Sequence, residues 1–250
     1  MKPLYKNRIF NYTTTEERST AMKKQVITAQ QAADMIPSGA TIMMGGFMGC
    51  GSALDIIDAL SKTDKGNFHA IINDSSILNG PDGSEHYSWA KLIHNGQLEG
   101  YDGTHLGTNP EAVQMWAEGK LRADLVPQGS FVEMIRAGGA GLGGVISPTG
   151  VGTLVEDSPL VHCKITLDGC DYLVMKPLKA DFALINAYKV DKMGNCWYKG
   201  SARNFNPAMA TAAKVVIVEA EELVEVGEIA PENIVTPGML IDYIVVREAK

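Results

Sequence analysis

Apolar and polar residues follow one another in blocks that predict strands and helices in alternation. An apolar run at 40–44 is followed by a glycine-rich loop and then by SALDIIDALSK, whose apolar residues recur at helical spacing. A second apolar run, Phe68 to Ile72, ends in the polar residues NDSS. This rhythm is typical of parallel strands joined by crossover helices. The pattern predicts an α/β protein with an open, mostly parallel sheet and helices on both faces.

Residues that commonly begin helices mark further elements. Helices are predicted to begin after Thr28, Ser52, Ser130 and Asn206 and at Pro110, and another is predicted at about 85–93. Additional strands are predicted at 122–126, 182–188, 215–219 and 240–246.

The pattern changes near residue 162, where HCKITLDGCDYLVM alternates around Asp168-Gly169, a strong hairpin signal. We therefore expect an antiparallel β insertion rather than another crossover unit. No internal repeat or long linker is visible, so residues 22–250 are predicted to form one domain. Residues 1–21 contain no apolar run, and Glu16-Glu17 argues against a transit peptide, so we expect a loosely ordered leader. The alternatives are a translation start at Met22 and a functional arm.

Composition and charge exclude several functions. The net charge of −7 argues against a broad surface for nucleic acid or for an anionic membrane. The four cysteines form no C-x-x-C pair, and the five histidines form no H-E-x-x-H or H-x-H arrangement. We therefore expect no metal site and a reducing compartment, which a bacterial-type cytoplasm or an organelle matrix would both provide. Of the two, we predict the cytoplasm.

Glycine makes up 26 of the 250 residues, and its excess is grouped. The first group, Gly45 to Gly51, follows a predicted strand and precedes a predicted helix. Ligands bind at this junction in open α/β sheets, and N–H groups beside a helix start favour an anion. The alternative is a tight turn that needs a positive φ at one glycine.

The second glycine group lies between Gly138 and Gly152. Gly139, Gly141 and Gly144 match G-x-G-x-x-G, but here the predicted helix comes before the glycines rather than after them. A dinucleotide site requires the opposite order. We interpret Gly141, Gly143 and Gly144 as part of a loop close to the first one.

Two amides, Asn73 and Gln128, lie at the ends of predicted strands. A neutral amide can donate to a carboxylate or an oxyanion, although a loop cap is the alternative for each. No G-x-S-x-G elbow is present, and the acidic stretch Glu219 to Glu222 is interpreted as a solvated strand end. The residues indicate an α/β protein for a small anionic ligand, without an evident nucleophile.

The chain resembles the alpha (A) subunit of family I CoA-transferases, of the 3-oxoacid, butyrate–acetoacetate and acetate type. The resemblance extends from about Met22 to the C-terminus. The motifs that carry it are MGGFMGCG at 44–51, GTNPE at 107–111, PQGSFVEMIRAGGAGLGG at 127–144, SPTGVGTLVE at 147–156, ADFALINAYKVDKMGN at 180–195, SARNFNPAM at 201–209 and VIVEAEELVEVGEIAPENI at 216–234.

The resemblance implies transfer of CoA from a short-chain acyl-CoA to a free carboxylic acid such as acetate. It implies a glutamate nucleophile on a beta subunit, which forms a glutamyl-CoA intermediate, and no catalytic nucleophile in this chain. The chain would then be active only with that subunit, in an α2β2 or higher assembly. Coenzyme A would be a substrate, and no permanent cofactor is implied.

By position, the resemblance assigns Asn73 and Gln128 to the acid's carboxylate and the oxyanion. It assigns Gly45, Gly46 and Phe47 to a loop that closes the site. The sequence GSAL at 51–54 stands where the family often has Gly-x-Pro-Glu, so the identity of the acid stays open. The alternatives are a non-catalytic metabolite-binding protein of the same fold and a sugar-phosphate isomerase, which requires its own carboxylate base.

Overall fold

The computed structural model describes residues 23–248, so the predicted leader at 1–21 lies outside the described residues. The strands in this range are β1 (Gln25–Ile27), β2 (Thr41–Met44), β3 (Phe68–Ile71), β4 (Leu98–Gly103), β5 (Arg122–Leu125), β6 (Val145–Ser147), β7 (Val161–Leu167), β8 (Cys170–Met175), β9 (Ala180–Asp191), β10 (Cys196–Trp197), β11 (Ala213–Val224) and β12 (Tyr243–Val246). The α-helices are α1 (Ala29–Met35), α2 (Leu54–Ser61), α3 (Ala90–His94), α4 (Pro110–Ala117), α5 (Gln128–Ala140) and α6 (Asn206–Met209).

The main sheet has the strand order β1-β12-β11-β9-β2-β3-β4-β5, and every neighbouring pair on this path is parallel. The short strand β10 adds to β9 in antiparallel orientation. From β2 the chain steps to β3, β4 and β5 on one side, while β9 lies on the other side. The loop after β2 therefore opens at a switch in strand order, where open α/β sheets bind ligands.

Apolar layers cover both faces of the main sheet. Alternate residues of β2 point to opposite faces, so Ile42 belongs to the core that includes α2, whereas Met43 belongs to the core that includes α5. Phe131 and Met134 from α5 are fully buried in the second core. The prediction of a mostly parallel sheet with helices on both faces is confirmed.

The second sheet is small and antiparallel, in the order β6-β8-β7. Strands β7 and β8 are joined by Asp168 and Gly169, whose φ angles of 51° and 80° are left-handed. Both residues tolerate this conformation, which a two-residue hairpin loop requires. The predicted antiparallel insertion is confirmed.

Several predicted helix starts are displaced. Thr28 caps α1 as predicted, and Asn109 caps α4 by accepting from the amides of Glu111 and Ala112. However, Ser52 and Ser130 do not cap their helices, because α2 begins at Leu54 and α5 begins at Gln128. The hydroxyls of both serines are buried without a hydrogen-bond partner among the described residues.

Two other helix predictions also need correction. Asn206 is the first residue of α6 rather than its cap. The helix expected at about 85–93 is the shorter α3, because His86 instead forms a bridge with Leu78 and Trp89 begins the helical turn.

The second glycine group is partly helical rather than a continuous loop. Gly138 and Gly139 lie inside α5, where added Cβ atoms would overlap the carbonyl of Leu178 and the side chain of Thr211. Gly141 follows α5 with a left-handed φ of 72°, a common helix end. These glycines therefore allow α5 to pack closely and then to end.

Candidate functional site

The loop after β2 forms a tight turn. The backbones of Phe47 and Cys50 exchange hydrogen bonds of 3.0 and 2.9 Å. Between them, Met48 and Gly49 have left-handed φ angles of 49° and 81°. The side chains of Phe47 and Met48 are exposed at the end of this turn.

The sequence predicts that the amides of this loop and of the following helix start can bind an anion, but several of them already have partners within the protein. The amide of Gly45 donates to Leu184 O, and that of Met48 donates to Oδ2 of Asp74. At the start of α2, the amides of Asp55 and Ile56 donate to Oε2 of Glu219 at 2.9 and 3.0 Å. The anion at this helix start is therefore a carboxylate of the protein itself.

Glu219 is fully buried, so its interpretation as part of a solvated strand end is wrong. Nε of Arg247 donates to its Oε1 at 2.7 Å, and Nη2 of Arg247 donates to Ser52 O at 2.9 Å. Burial raises the pKa of Glu219, while Arg247 and the Ile56 amide act in the opposite direction. This group fixes the start of α2 beside the glycine loop.

The structure brings Asn73 and Gln128 together. Asn73 follows β3 and Gln128 follows β5, and Nε2 of Gln128 donates to Oδ1 of Asn73 at 2.8 Å. Asn73 is only 1% exposed, whereas Gln128 is open to solvent. Gln128 can thus meet a ligand directly, while Asn73 lies behind it.

Asp74 orients the side-chain amide of Asn73 toward Gln128, and no sequence motif marks it. Its Oδ2 accepts from Nδ2 of Asn73 at 2.8 Å and from the Met48 amide at 2.9 Å, and its Oδ1 accepts from the Ser76 amide at 2.7 Å. An ionised carboxylate only accepts, so the amide nitrogen of Asn73 must face Asp74 and its oxygen must face Gln128. The only sequence signal was the run of polar residues after the strand.

Asn206 joins the loop to the neighbouring strand β9. Its Nδ2 donates to Gly51 O and Ala202 O, both at 2.9 Å, and its Oδ1 accepts from the Asn186 amide at 3.1 Å. A Cβ atom on Gly45 would overlap this Oδ1. The side chain of Asn206 can therefore take this position only because residue 45 is glycine.

A cavity of about 330 Å³ lies beside the amide pair, lined by Phe47, Gln128, Gly129, Val132, Asn204 and Phe205. It shares Val132 and Asn204 with a second cavity of about 420 Å³ farther along α5. The pair thus stands at one end of a groove that follows this helix.

The remaining glycines expected near the site lie elsewhere along α5. Gly141 follows the last residue of the helix, about 20 Å along its axis from Gln128. A Cβ atom on Gly144 would lie 2.7 Å from Met175 O, beside β8. A role for Gly141, Gly143 and Gly144 at the substrate stays a prediction.

The fold and the site define an α/β protein whose candidate ligand site lies at the carboxyl edge of a parallel sheet. Residues 26–247 match the family model described as Coenzyme A transferase. The acetate CoA-transferase subunit alpha of Escherichia coli (strain K12) is 44% identical over 227 residues, which cover 91% of this chain and 99% of that subunit. The acetoacetyl-CoA:acetate/butyrate CoA transferase alpha subunit of Clostridium acetobutylicum is 42% identical, covering 91% and 100%.

Solved structures share the fold. An acyl-CoA transferase of E. coli O157:H7, in a thioester complex with CoA, has a TM-score of 0.80 at 22% identity. The match covers 91% of this chain and 48% of that one, so the chain spans about half of its length. Glutaconate coenzyme A-transferase of Acidaminococcus fermentans has a TM-score of 0.76 at 21% identity, covering 89% and 75%.

The chain belongs to the coenzyme A transferase family. The resemblance to alpha subunits is confirmed, because its relatives at 44% and 42% identity carry that designation. Among residues 23–248, no helix is both long and apolar enough to cross a bilayer.

Proposed function

We propose that this chain is the alpha subunit of a heteromeric CoA-transferase that acts in the cytoplasm. It would move CoA between a short-chain acyl-CoA, of the acetoacetyl or butyryl kind, and a free acid such as acetate. Two similar subunits named for acetate, acetoacetyl-CoA and butyrate transfer support this substrate class. Coenzyme A is a substrate in this proposal and not a resident cofactor.

The observation that carries the proposal is the exposed Gln128 amide, held by buried Asn73 beside the cavity of about 330 Å³. A neutral, fixed N–H donor can stabilise negative charge that develops on a carbonyl oxygen. Nε2 of Gln128 uses one hydrogen on Asn73, and its second hydrogen serves the substrate. We therefore assign direct contact with the acid or the oxyanion to Gln128 and a positioning role to Asn73.

The nucleophile in this proposal is a glutamate of the beta subunit. Its carboxylate attacks the thioester carbonyl and expels CoA as a thiolate, leaving an acyl–glutamyl anhydride. The thiolate then attacks the glutamyl carbonyl, which releases the first acid and forms glutamyl-CoA. The acceptor acid then attacks the glutamyl-CoA carbonyl and expels CoA as a thiolate, which gives a new acyl–glutamyl anhydride. The thiolate attacks the acyl carbonyl of this anhydride, which forms the new acyl-CoA and releases the glutamate.

Features of this chain support a site completed by another subunit. Asp74, the carboxylate bound into the amide network, already accepts three hydrogen bonds and is a poor nucleophile. Phe47 and Met48 expose apolar side chains at the mouth of the site. In this proposal Gly45 and Gly46 shape the loop, and Phe47 closes it against the partner in an α2β2 or higher assembly.

The test compares the full-length chain alone with the chain co-expressed with the beta subunit of the same organism. Transfer between acetoacetyl-CoA and acetate is expected only from the complex. Borohydride reduction after acyl-CoA treatment should modify a glutamate of the partner and none in this chain. Full activity of the isolated chain would overturn the divided site, and acyl-CoA binding without transfer by the complex would favour a metabolite-binding protein.

A further inference from the structure

Three ligating side chains converge away from the amide pair. Nε2 of His86 lies 2.9 Å from Oε2 of Glu111, and Nδ1 of His94 lies 2.8 Å from Oε1 of the same carboxylate. The two imidazole rings stack with centroids 3.9 Å apart. Among residues 23–248, these are the three His, Cys, Asp or Glu side chains whose possible metal-binding atoms all lie within 4.8 Å of one another.

Separate elements hold these side chains in place. His86 precedes α3 and pairs with Leu78 in a β-bridge, and His94 is the last residue of α3. Glu111 lies in the first turn of α4, where its amide is bound by Asn109. His86, His94 and Glu111 are separated in sequence and come from three segments, so no short sequence motif identifies them as a group.

The ligand atoms suit a transition-metal ion. Zinc binds imidazole nitrogen and carboxylate oxygen at about 2.0–2.2 Å, which separates neighbouring ligands by about 3.3 Å in a tetrahedron. The two imidazole nitrogens now contact different oxygens of Glu111, at 2.9 and 2.8 Å, and all the ligand atoms lie within 4.8 Å of one another. Small rotations of these side chains would therefore bring both nitrogens and one carboxylate oxygen around a single ion. His94 is half exposed and Glu111 is 30% exposed, so an ion can enter and a solvent ligand can complete the shell.

We propose that His86, His94 and Glu111 form a binding site for a divalent transition-metal ion of the zinc class. The ion replaces the protons that now lie between the imidazoles and the carboxylate, and it leaves at least one position for water. Two nitrogen ligands and one oxygen ligand favour zinc over magnesium or calcium, which prefer oxygen alone. The site is separate from the proposed acyl transfer and does not depend on it.

The ion would brace the segment that supports the amide network. His86 and His94 flank Trp89, whose Nε1 donates to Asp74 O at 2.6 Å. Tyr87 lies directly against Gly49 of the loop after β2. A metal link between this segment and α4 therefore stabilises the wall of the site without contacting a substrate.

The experiment titrates Zn²⁺ into the untagged full-length chain, co-expressed with its partner if required, by calorimetry and by thermal unfolding. Cys50, Cys163 and Cys170 are exposed and are alkylated first, so that their thiols do not bind the ion. Co²⁺ serves as a spectroscopic probe of the ligand geometry. The variants are His94→Gln and Glu111→Gln, with His162→Gln as the matched control on exposed β7.

We expect one Zn²⁺ per chain, with a dissociation constant below about 100 µM, and a visible Co²⁺ spectrum of low-coordinate type. At a hundredfold excess over the dissociation constant, the unfolding midpoint should rise by about 5–10 °C. His94→Gln and Glu111→Gln should each weaken binding at least tenfold, and His162→Gln should not. Equal binding by the wild type and all variants, or no binding of Zn²⁺ at about 100 µM, would overturn the metal site. The three side chains would then serve only to hydrogen-bond the two segments to each other.

Discussion

Nε2 of Gln128 donates a hydrogen bond to Oδ1 of Asn73, which joins the residues that follow β5 and β3. Asn73 is buried and in turn donates to Asp74, so Gln128 is the exposed end of an ordered chain of hydrogen bonds. A group held in this way is preorganised, because little reorientation is needed when charge develops beside it.

Gln128→Ala should lower kcat by about 100-fold, the range found when one oxyanion donor is removed. The KM for acyl-CoA should change by less than about threefold, since the lost contact strengthens in the transition state. Steady-state kinetics of the complex measure both. Gln114→Ala, on the exposed face of α4, is the matched control and should behave as wild type. A change confined to KM would contradict the role assigned to Gln128.

Asp74→Asn should reduce kcat while the complex still assembles. An asparagine at this position presents both a donor and an acceptor, so it no longer forces the amide nitrogen of Asn73 to face it. The partly buried Met48 amide also loses a charged acceptor, and we expect stability to fall by about 1–3 kcal/mol. Denaturant unfolding and kcat are measured together, with exposed Asp34→Asn as control. Unchanged turnover would show that Asp74 does not orient the pair.

Gly45→Ala should destabilise the protein by about 1–3 kcal/mol, because its methyl group overlaps Oδ1 of Asn206. Gly143→Ala should change stability by less than about 0.5 kcal/mol, since nothing lies within 4 Å of its Cβ position. Thermal and denaturant unfolding of the two variants compare glycine at a close contact with glycine in open space. Equal stability would mean that the loop can move away from Asn206.

Glu219→Gln should cost about 1–3 kcal/mol, because a carboxamide has only one accepting oxygen. Its NH2 group would then face a donor, either Arg247 or the amides at the start of α2. Arg247→Met should be similarly destabilising, since it removes the cationic partner of a buried carboxylate. The double variant should be less destabilised than the sum by about 1–3 kcal/mol. A double-mutant cycle in denaturant gives this coupling energy, and strict additivity would show that the two side chains act independently.

The pH dependence of stability should also reveal Glu219. Burial raises its pKa above the ordinary 4.5, so the folded state holds this proton more tightly than the unfolded chain does. Its contribution therefore favours folding at low pH and declines as the pH rises above 4.5. Glu219→Gln should make the fall in stability over this range shallower, as measured by unfolding at several pH values. A steeper fall in the variant would reverse the sign proposed for this group.

Local patterns predicted the elements whose causes are local. The strands near Ile42 and Phe68 follow from apolar runs, and the hairpin at Asp168-Gly169 follows from the two residues that it needs. The start of α2 was misplaced because its amides bond to Glu219, which is distant in sequence. No rule based on neighbouring residues can identify such a partner.

The site was partly predictable for the same reason. Parallel strands place the residues after their carboxyl ends at one edge, so Asn73 and Gln128 could be expected near each other. The direction of their bond depends on Asp74, and the position of Gly45 depends on Asn206. These dependences involve the packing of separate segments and appear only in three dimensions.

The pairing of β1 with β12 has a consequence for biosynthesis. Gln25 is paired with Tyr243, and Arg247 donates a hydrogen bond to the carbonyl of Ser52. Early segments of the chain therefore make these contacts only after much later segments have been translated. While the ribosome is still producing β12, one edge of β11 is unpaired and the carboxylate of Glu219 lacks its partner Arg247. We expect the nascent chain to depend on chaperones over this interval, because an open strand edge invites aggregation. The emergence of β12, which pairs with both β1 and β11, then becomes the step that closes this part of the sheet.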